Sequence, residues 1–294
     1  MKKKDLLLAL IVTFIWGFNF TMIKLAVTEV NPLIMTAARF SLAVFPVIFF
    51  IARPQVAWRY LVSYGVVFGV GIWGMASWSI TMGLSSGMSS VLMQSSVLFG
   101  VVSGLVLYKD KIHLFKTIGV CLAMIGLVVS VMYTNGNVTF PGLFLISIAA
   151  SSWTLMGIIV KAAKAKRAFA FNVWGMLFAP LPLVVLAMAI HGTDVISSSV
   201  ANWDWNTTVA VLFQAYPTTL FGYWIWNRLV LEYPMSTVAP LTLLVPVFAL
   251  ICGYWFYDET LSQVQMVACG LFLCGIGFIV RQPAAPVRKV ARSA

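Results

Sequence analysis

The chain has 294 residues, 61% hydrophobic and 9% charged, and 19 lysines and arginines against 8 acids give a formal net charge of +11. Apolar stretches of about 20 residues recur from end to end, the length that crosses a bilayer's hydrocarbon core, so the sequence predicts an all-α, polytopic membrane protein. The connections leave no room for a separate soluble domain, and the surplus positive charge reads as topogenic charge facing anionic lipid rather than a nucleic-acid surface.

In chain order, ten spans are predicted at residues 6–27, 33–51, 61–83, 88–108, 113–133, 140–161, 169–191, 207–231, 235–257 and 262–280. With a cytoplasmic amino terminus, the cytoplasmic segments carry Lys2, Lys3, Lys4, Arg53, Arg59, Lys109, Lys111, Lys116, Lys161, Lys164, Lys166, Arg167, Arg228, Arg281, Arg288, Lys289 and Arg292, which is 17 of the 19 basic residues. The exterior loops carry none, and only Lys24 and Arg39 remain, inside spans. That alternation satisfies the positive-inside rule for ten crossings with both termini cytoplasmic. The opening run is too long for a signal peptide and lacks a clean cleavage site, so it stays as the first helix. Trp203 and Trp205 end the longest exterior loop, residues 192–206, and suit a membrane interface. Cys121, Cys252, Cys269 and Cys274 lie in spans without the spacing of a zinc site or a disulfide framework, so no metal and no cofactor is expected. Residues 282–294 form a basic cytoplasmic tail expected to be disordered.

The two halves repeat. Trp16 and Lys24 stand eight apart, as do Trp153 and Lys161; Gly87-Met88-Ser89-Ser90-Val91 matches Pro234-Met235-Ser236-Thr237-Val238; and Ile112, Cys121 and Gly126 match Leu261, Gly270 and Gly275. Five helices (1–137) followed by five (138–281) is the simplest account. An odd number sends the second copy into the membrane from the opposite face, giving the inverted repeat found in alternating-access transporters.

Trp16-Gly17-Phe18-Asn19-Phe20, Ala38-Arg39-Phe40, Tyr108-Lys109-Asp110-Lys111-Ile112, Ala239-Pro240-Leu241 and Tyr257-Asp258-Glu259-Thr260-Leu261 resemble the EamA family of the drug/metabolite transporter superfamily. The resemblance runs from about residue 5 to 280. Residues 31–56, with Phe45-Pro46-Val47-Ile48-Phe49-Phe50-Ile51-Ala52-Arg53-Pro54, are most similar to bacterial exporters of cysteine and O-acetylserine. The resemblance implies a ten-helix inner-membrane exporter with a central cavity lined by helices 1 to 4 and 6 to 9, and helices 5 and 10 set aside as scaffold.

Arg39 stands about 10 Å inside its span, where a cation needs a wet cavity or a partner. It reads either as the clamp for a substrate carboxylate or as a structural tie to Glu29 or to free carbonyls. Lys24 reads as a second substrate cation or as a side chain snorkelling to the headgroups. No carboxylate is expected at mid-membrane, which disfavours a cation-drug mechanism and suits a zwitterionic or anionic substrate. Trp16, Phe20 and Lys24 share a stripe bordered by Asn19; Asn19 either meets the solute or bonds a neighbouring helix. Gln94, one turn after Ser90, is expected to point inward, and Trp78, Trp153, Tyr216, Tyr223 and Trp224 offer aromatic surface or plain packing. Pro217, Pro240 and Pro246 should break or bend their helices, either at the site or as static kinks. Gly65, Gly69, Gly71 and Gly74 suit close helix packing, as do the glycines of helices 5 and 10, which offer a dimer contact as well.

These residues point to a secondary transporter of the bacterial inner membrane, not an enzyme, that exports amino acids or derivatives such as cysteine or O-acetylserine. The alternatives are export of other amino acids, threonine or aromatic ones, and flipping of a lipid or isoprenoid phosphate. Expected partners are the small solute and membrane lipid, with the chain a monomer or homodimer and no nucleic acid.

Overall fold

The structure, a computed structural model, describes residues 1–45, 47–108, 114–133, 136–233 and 235–280, and every regular element among them is helical. Pro46, Lys109, Asp110, Lys111, Ile112, His113, Pro234 and the tail from Arg281 lie outside the described residues. Nine helical stretches among those described are long and apolar enough to cross a membrane: Lys3–Val27, Pro32–Phe50, Trp58–Thr81, Ser86–Val106, Leu114–Met132, Phe140–Ala163, Ala168–His191, Pro240–Tyr257 and Gln263–Val280. The predicted span at 207–231 is helical as well, but it is not one of these nine. It carries Gln214, Thr218 and Thr219, which are buried inside the protein and so need no apolar character.

The first repeat begins with α1 (Lys3–Val27), an uninterrupted helix of 25 residues, about 37 Å at 1.5 Å per residue. In α2 (Pro32–Val44), Pro32 fits the first turn and the Asn31 side chain accepts from the amides of Leu33 and Ile34. Asn31→Ala is expected to lower stability by about 1 kcal/mol, read as an earlier thermal transition in detergent. Next come α3 (Trp58–Val66), a π-wound stretch (Val67–Gly74) and α4 (Met75–Thr81) on one axis. Then α5 (Ser86–Met93) and α6 (Ser96–Tyr108) form one helix interrupted at Gln94 and Ser95, followed by α7 (Leu114–Met132).

The second repeat contains α8 (Phe140–Ala163), α9 (Ala168–Met176), α10 (Pro180–His191) and the short α11 (Val195–Ala201). After these, α12 (Trp205–Phe213), a second π-wound stretch (Gln214–Phe221) and α13 (Gly222–Glu232) run continuously. The last helices are α14 (Met235–Val238), a 3₁₀ turn (Ala239–Leu243), α15 (Leu244–Tyr257) and α16 (Gln263–Val280). The two π stretches are each eight residues long and begin 147 residues apart, at Val67 and Gln214. That is also the spacing between Gly87 and Pro234 in the sequence repeat.

Two features of the packing bear on the site. First, α1 lies against α12, α13 and α15 of the second repeat, while α8 lies against α4, α5, α6 and the π stretch of the first. Each repeat thus places its opening helix in the other. Second, α7 and α16 pair with each other through glycine: Gly119 faces the Gly275 carbonyl, and Gly126 faces the Phe272 amide. Of the glycines of helices 5 and 10, Gly119, Gly126 and Gly275 are in this way engaged within one chain, while nothing lies within 4 Å of a Cβ at Gly270. The glycines of the third predicted span pack closely, Gly65, Gly69 and Gly74 against Gly175, Ala179 and Leu183, and Gly71 against Ser152.

Candidate functional site: a cavity between interrupted helices

Between the halves lies a small cavity of about 80 Å³, lined by Trp16 and Phe20 of α1, Trp73, Ser90, Met93, Gln94, Ser96, Trp153, Tyr223, Thr242 and Val245. Trp16 is about 20 Å along α1, near its middle. The wall is built where helices break. Gln94, at the interruption between α5 and α6, donates from its amide to the Thr242 carbonyl at 3.3 Å, in the 3₁₀ turn between Pro240 and Pro246. Pro217 has no N–H and its ring crowds the preceding turn; the wider π winding accommodates it. The backbone groups loosened there find other partners. The Trp16 indole donates to the Thr218 carbonyl at 3.1 Å, and the Thr219 hydroxyl donates to the Gln214 carbonyl at 2.7 Å.

No charged side chain lines the cavity. Arg39 is fully buried behind Trp73, its guanidinium 4.3 Å from the ring centroid. Its Nε and Nη2 donate to the Thr219 hydroxyl oxygen at 3.2 and 3.0 Å, and its Nη1 to the Gln214 amide oxygen at 3.5 Å. The expected tie to Glu29 is not made, because Arg39 is held by hydroxyl and amide oxygens and has no carboxylate within ion-pair distance among the described residues. Trp73 stands edge-to-face with Trp153 at 6.3 Å and tilted to Phe20 at 6.2 Å, so the cation is separated from the cavity by one indole.

Of the residues predicted for the site, Trp16, Phe20, Gln94, Trp153 and Tyr223 are brought together at the cavity. The others lie elsewhere. Asn19 is fully buried but not in the lining, and neither of its amide atoms has a hydrogen-bond partner among the described residues. Lys24 neither lines the cavity nor snorkels free: it forms an ion pair of 2.7 Å with Glu259 at the carboxyl-terminal end of α1. Trp78 packs edge-on against His191. Tyr216 is 38% exposed, and Trp224, 53% exposed, lines a groove with Lys166 and Arg167. Pro217 sits in the π stretch, Pro240 in the 3₁₀ turn and Pro246 buried within α15.

Sequence reasoning missed Trp73, Met93, Ser96, Thr242 and Val245. Thr242 could have been found from its place between two prolines; Trp73 had no signal, because the glycines around it drew the reading toward packing. Among the described residues no group of His, Cys, Asp or Glu could hold a metal ion.

α1 is also tied down at its other end. Arg228 pairs with Asp5 at 3.0 Å and Tyr233 donates to the same carboxylate at 2.6 Å, while Lys2 approaches Glu232 at 3.8 Å. The Asp5 carboxylate holds the Tyr233 phenol above its usual pKa by stabilising the protonated hydroxyl.

A multi-pass helical bundle with a cavity at half depth between interrupted helices defines a membrane transporter. The profile of the EamA-like transporter family matches residues 3–132 and again 140–281, and the chain belongs to that family. It is 32% identical over 295 residues to a probable amino-acid metabolite efflux pump of Salmonella typhimurium, covering 97% of this chain and 99% of that one. A protein of the same description from Escherichia coli is 30% identical over 282 residues, with 94% of each chain covered. An uncharacterized transporter of Archaeoglobus fulgidus is 28% identical over 293 residues, 95% and 99% of the two chains. A solved crystal structure aligns with a TM-score of 0.63 over 95% of this chain and 96% of that one at 14% identity, a likeness of fold alone.

Proposed function

We propose that this chain exports small amino-acid-type metabolites across the bacterial inner membrane by alternating access, through two inverted five-helix repeats with both termini cytoplasmic. The observation that carries the reading is the cavity itself, at mid-depth and walled by helix interruptions from both repeats. The names of the Salmonella and Escherichia relatives point the same way.

The stretch from 205 to 232 supplies the tenth crossing, its buried polar residues explaining its lower hydropathy. A zwitterion suits the walls. Its ammonium packs against the faces of Trp16, Trp153 and Tyr223 and near the carbonyl end of α5. Its carboxylate lies on the Trp73 side, where the charge of Arg39 acts across one ring in a medium of low dielectric. Ser90 and Gln94 offer a hydroxyl and an amide oxygen to its remaining polar groups. A cavity without a carboxylate disfavours lipophilic cations.

Counterflow in proteoliposomes tests this. Cysteine or O-acetylserine preloaded inside is expected to drive accumulation of the labelled amino acid, with threonine and aromatic amino acids as competitors. Exchange of isoprenoid phosphate with no exchange of any amino acid would overturn the reading.

A further inference from the structure

Glu259 follows Asp258, which takes a left-handed conformation (φ 50°) and ends α15 in a reversed turn, with the Glu259 amide donating to the Gly253 carbonyl at 3.2 Å. The turn sends the carboxylate back across the bundle, where its side chain is 10% exposed. One oxygen accepts from Lys24 Nζ at 2.7 Å and from the Ser86 amide at 2.8 Å; the other accepts from the Gly87 amide at 2.9 Å, and the Ser86 hydroxyl lies 3.0 Å from both. A single carboxylate therefore neutralises the end of α1, caps the start of α5 and anchors α15. Gly253 leaves the space it occupies, since a Cβ there would collide with it. The Lys24 ammonium also lies 4.4 Å from the ring centroid of Tyr257, whose hydroxyl donates to the Thr21 carbonyl at 3.0 Å.

Water reaches this knot. A polar pocket of about 360 Å³ is lined by Lys24, Ser85, Asn137, Asp258, Glu259 and Thr260, at the carboxyl-terminal end of α1. The titratable and charged groups around Glu259 are Lys24 from α1, Tyr254 and Tyr257 from α15, the adjacent Asp258, and Cys269 from α16; α5 presents only backbone amides and Ser86.

We propose that Glu259 is a proton-binding site that bolts this face of the transporter shut. A proton from the solvent adds to one carboxylate oxygen, giving the neutral acid; Lys24 stays an ammonium and turns to water, and α1 is released from α5 and α15. Burial alone would raise the Glu259 carboxyl, but bonds from Lys24 and from the Gly87 and Ser86 amides outweigh it and hold the closed form below the usual carboxylate range. The released form, left beside Asp258, binds the proton more tightly, so by linkage falling pH favours the open face. The closing interaction is complete at neutral pH and is lost as the pH falls through the ordinary glutamate range, about 4.3, and below. That this face is exterior rests on the topology proposed above; the proton site does not.

The test needs no substrate. Ser90→Cys places a thiol on the cavity wall. Its labelling by a membrane-impermeant maleimide in right-side-out vesicles is read on that peptide by mass spectrometry and normalised at each pH to the unfolded chain. Labelling is expected to rise about threefold or more between pH 7.5 and 3.5, the lower value lying below the range in which the released carboxyl takes up its proton. With Glu259→Gln added it should be high at both, within twofold, and Lys24→Met should open the face at pH 7.5 by removing the partner rather than the acid. Labelling that does not respond to pH in the Ser90→Cys chain, or a response that survives Glu259→Gln, overturns the proposal. Absence of amino-acid counterflow would sink the transport reading and leave this one standing.

Discussion

Arg39→Met is expected to silence amino-acid exchange while leaving the protein as stable as the parent, or more so. The guanidinium is fully buried, held by Thr219 and Gln214, and no carboxylate pairs with it among the described residues. Burying such a charge costs free energy, and replacing buried ionic groups by apolar ones of similar volume is often neutral or stabilising by about 1–4 kcal/mol. A purely structural arginine would therefore be expendable, and methionine fills much the same space against Trp73. Transport should respond the other way. Removing the one cation adjoining the cavity among the described residues withdraws an attraction across the ring of roughly 2 kcal/mol at about 8 Å and an effective dielectric constant of about 20, or about thirtyfold in counterflow rate. Arg39→Met protein that unfolds earlier but transports at the parent's rate would reduce Arg39 to scaffold.

Gly126→Leu is expected to have the largest effect on folding. A side chain at that position would run into the backbone of Phe272 on α16, which cannot yield without parting α7 from α16. Overpacking of this kind costs about 1–3 kcal/mol where neighbours can shift, and more where the obstacle is a main chain. The yield of monodisperse protein in mild detergent should collapse. Gly270→Leu on the same pair of helices should be nearly silent, because nothing lies within 4 Å of a Cβ there. Equal loss in both variants would show that the pair is not held by this close approach.

The helical plan was legible in the sequence because a bilayer imposes its own ruler: apolar runs of fixed length, with basic residues between alternate pairs. Trp16, Phe20, Gln94, Trp153 and Tyr223 were legible as site residues because polar or aromatic groups stand out within apolar spans. The π stretches were not. Pro217 announces a disturbance but not its winding, and Val67–Gly74 offers only glycines, which serve close packing equally well. The role of Glu259 was hidden for a different reason. Lys24 and Ser86 lie 235 and 173 residues away, so that local reading leaves an acid at the end of a span as an ordinary loop feature. Arg39 was visible as a costly cation, but the indole between it and the cavity depends on how α2 faces the first π stretch, a matter of packing rather than periodicity.

The crossed placement of α1 and α8 means that the break between the two homologous segments is not a seam along which the molecule divides. The helices packed on either side of that break are drawn from both segments, like two hands with interlaced thumbs. Neither segment made alone could bury its own interior, and a gene for half of this protein would encode a chain obliged to find a second copy before it could fold.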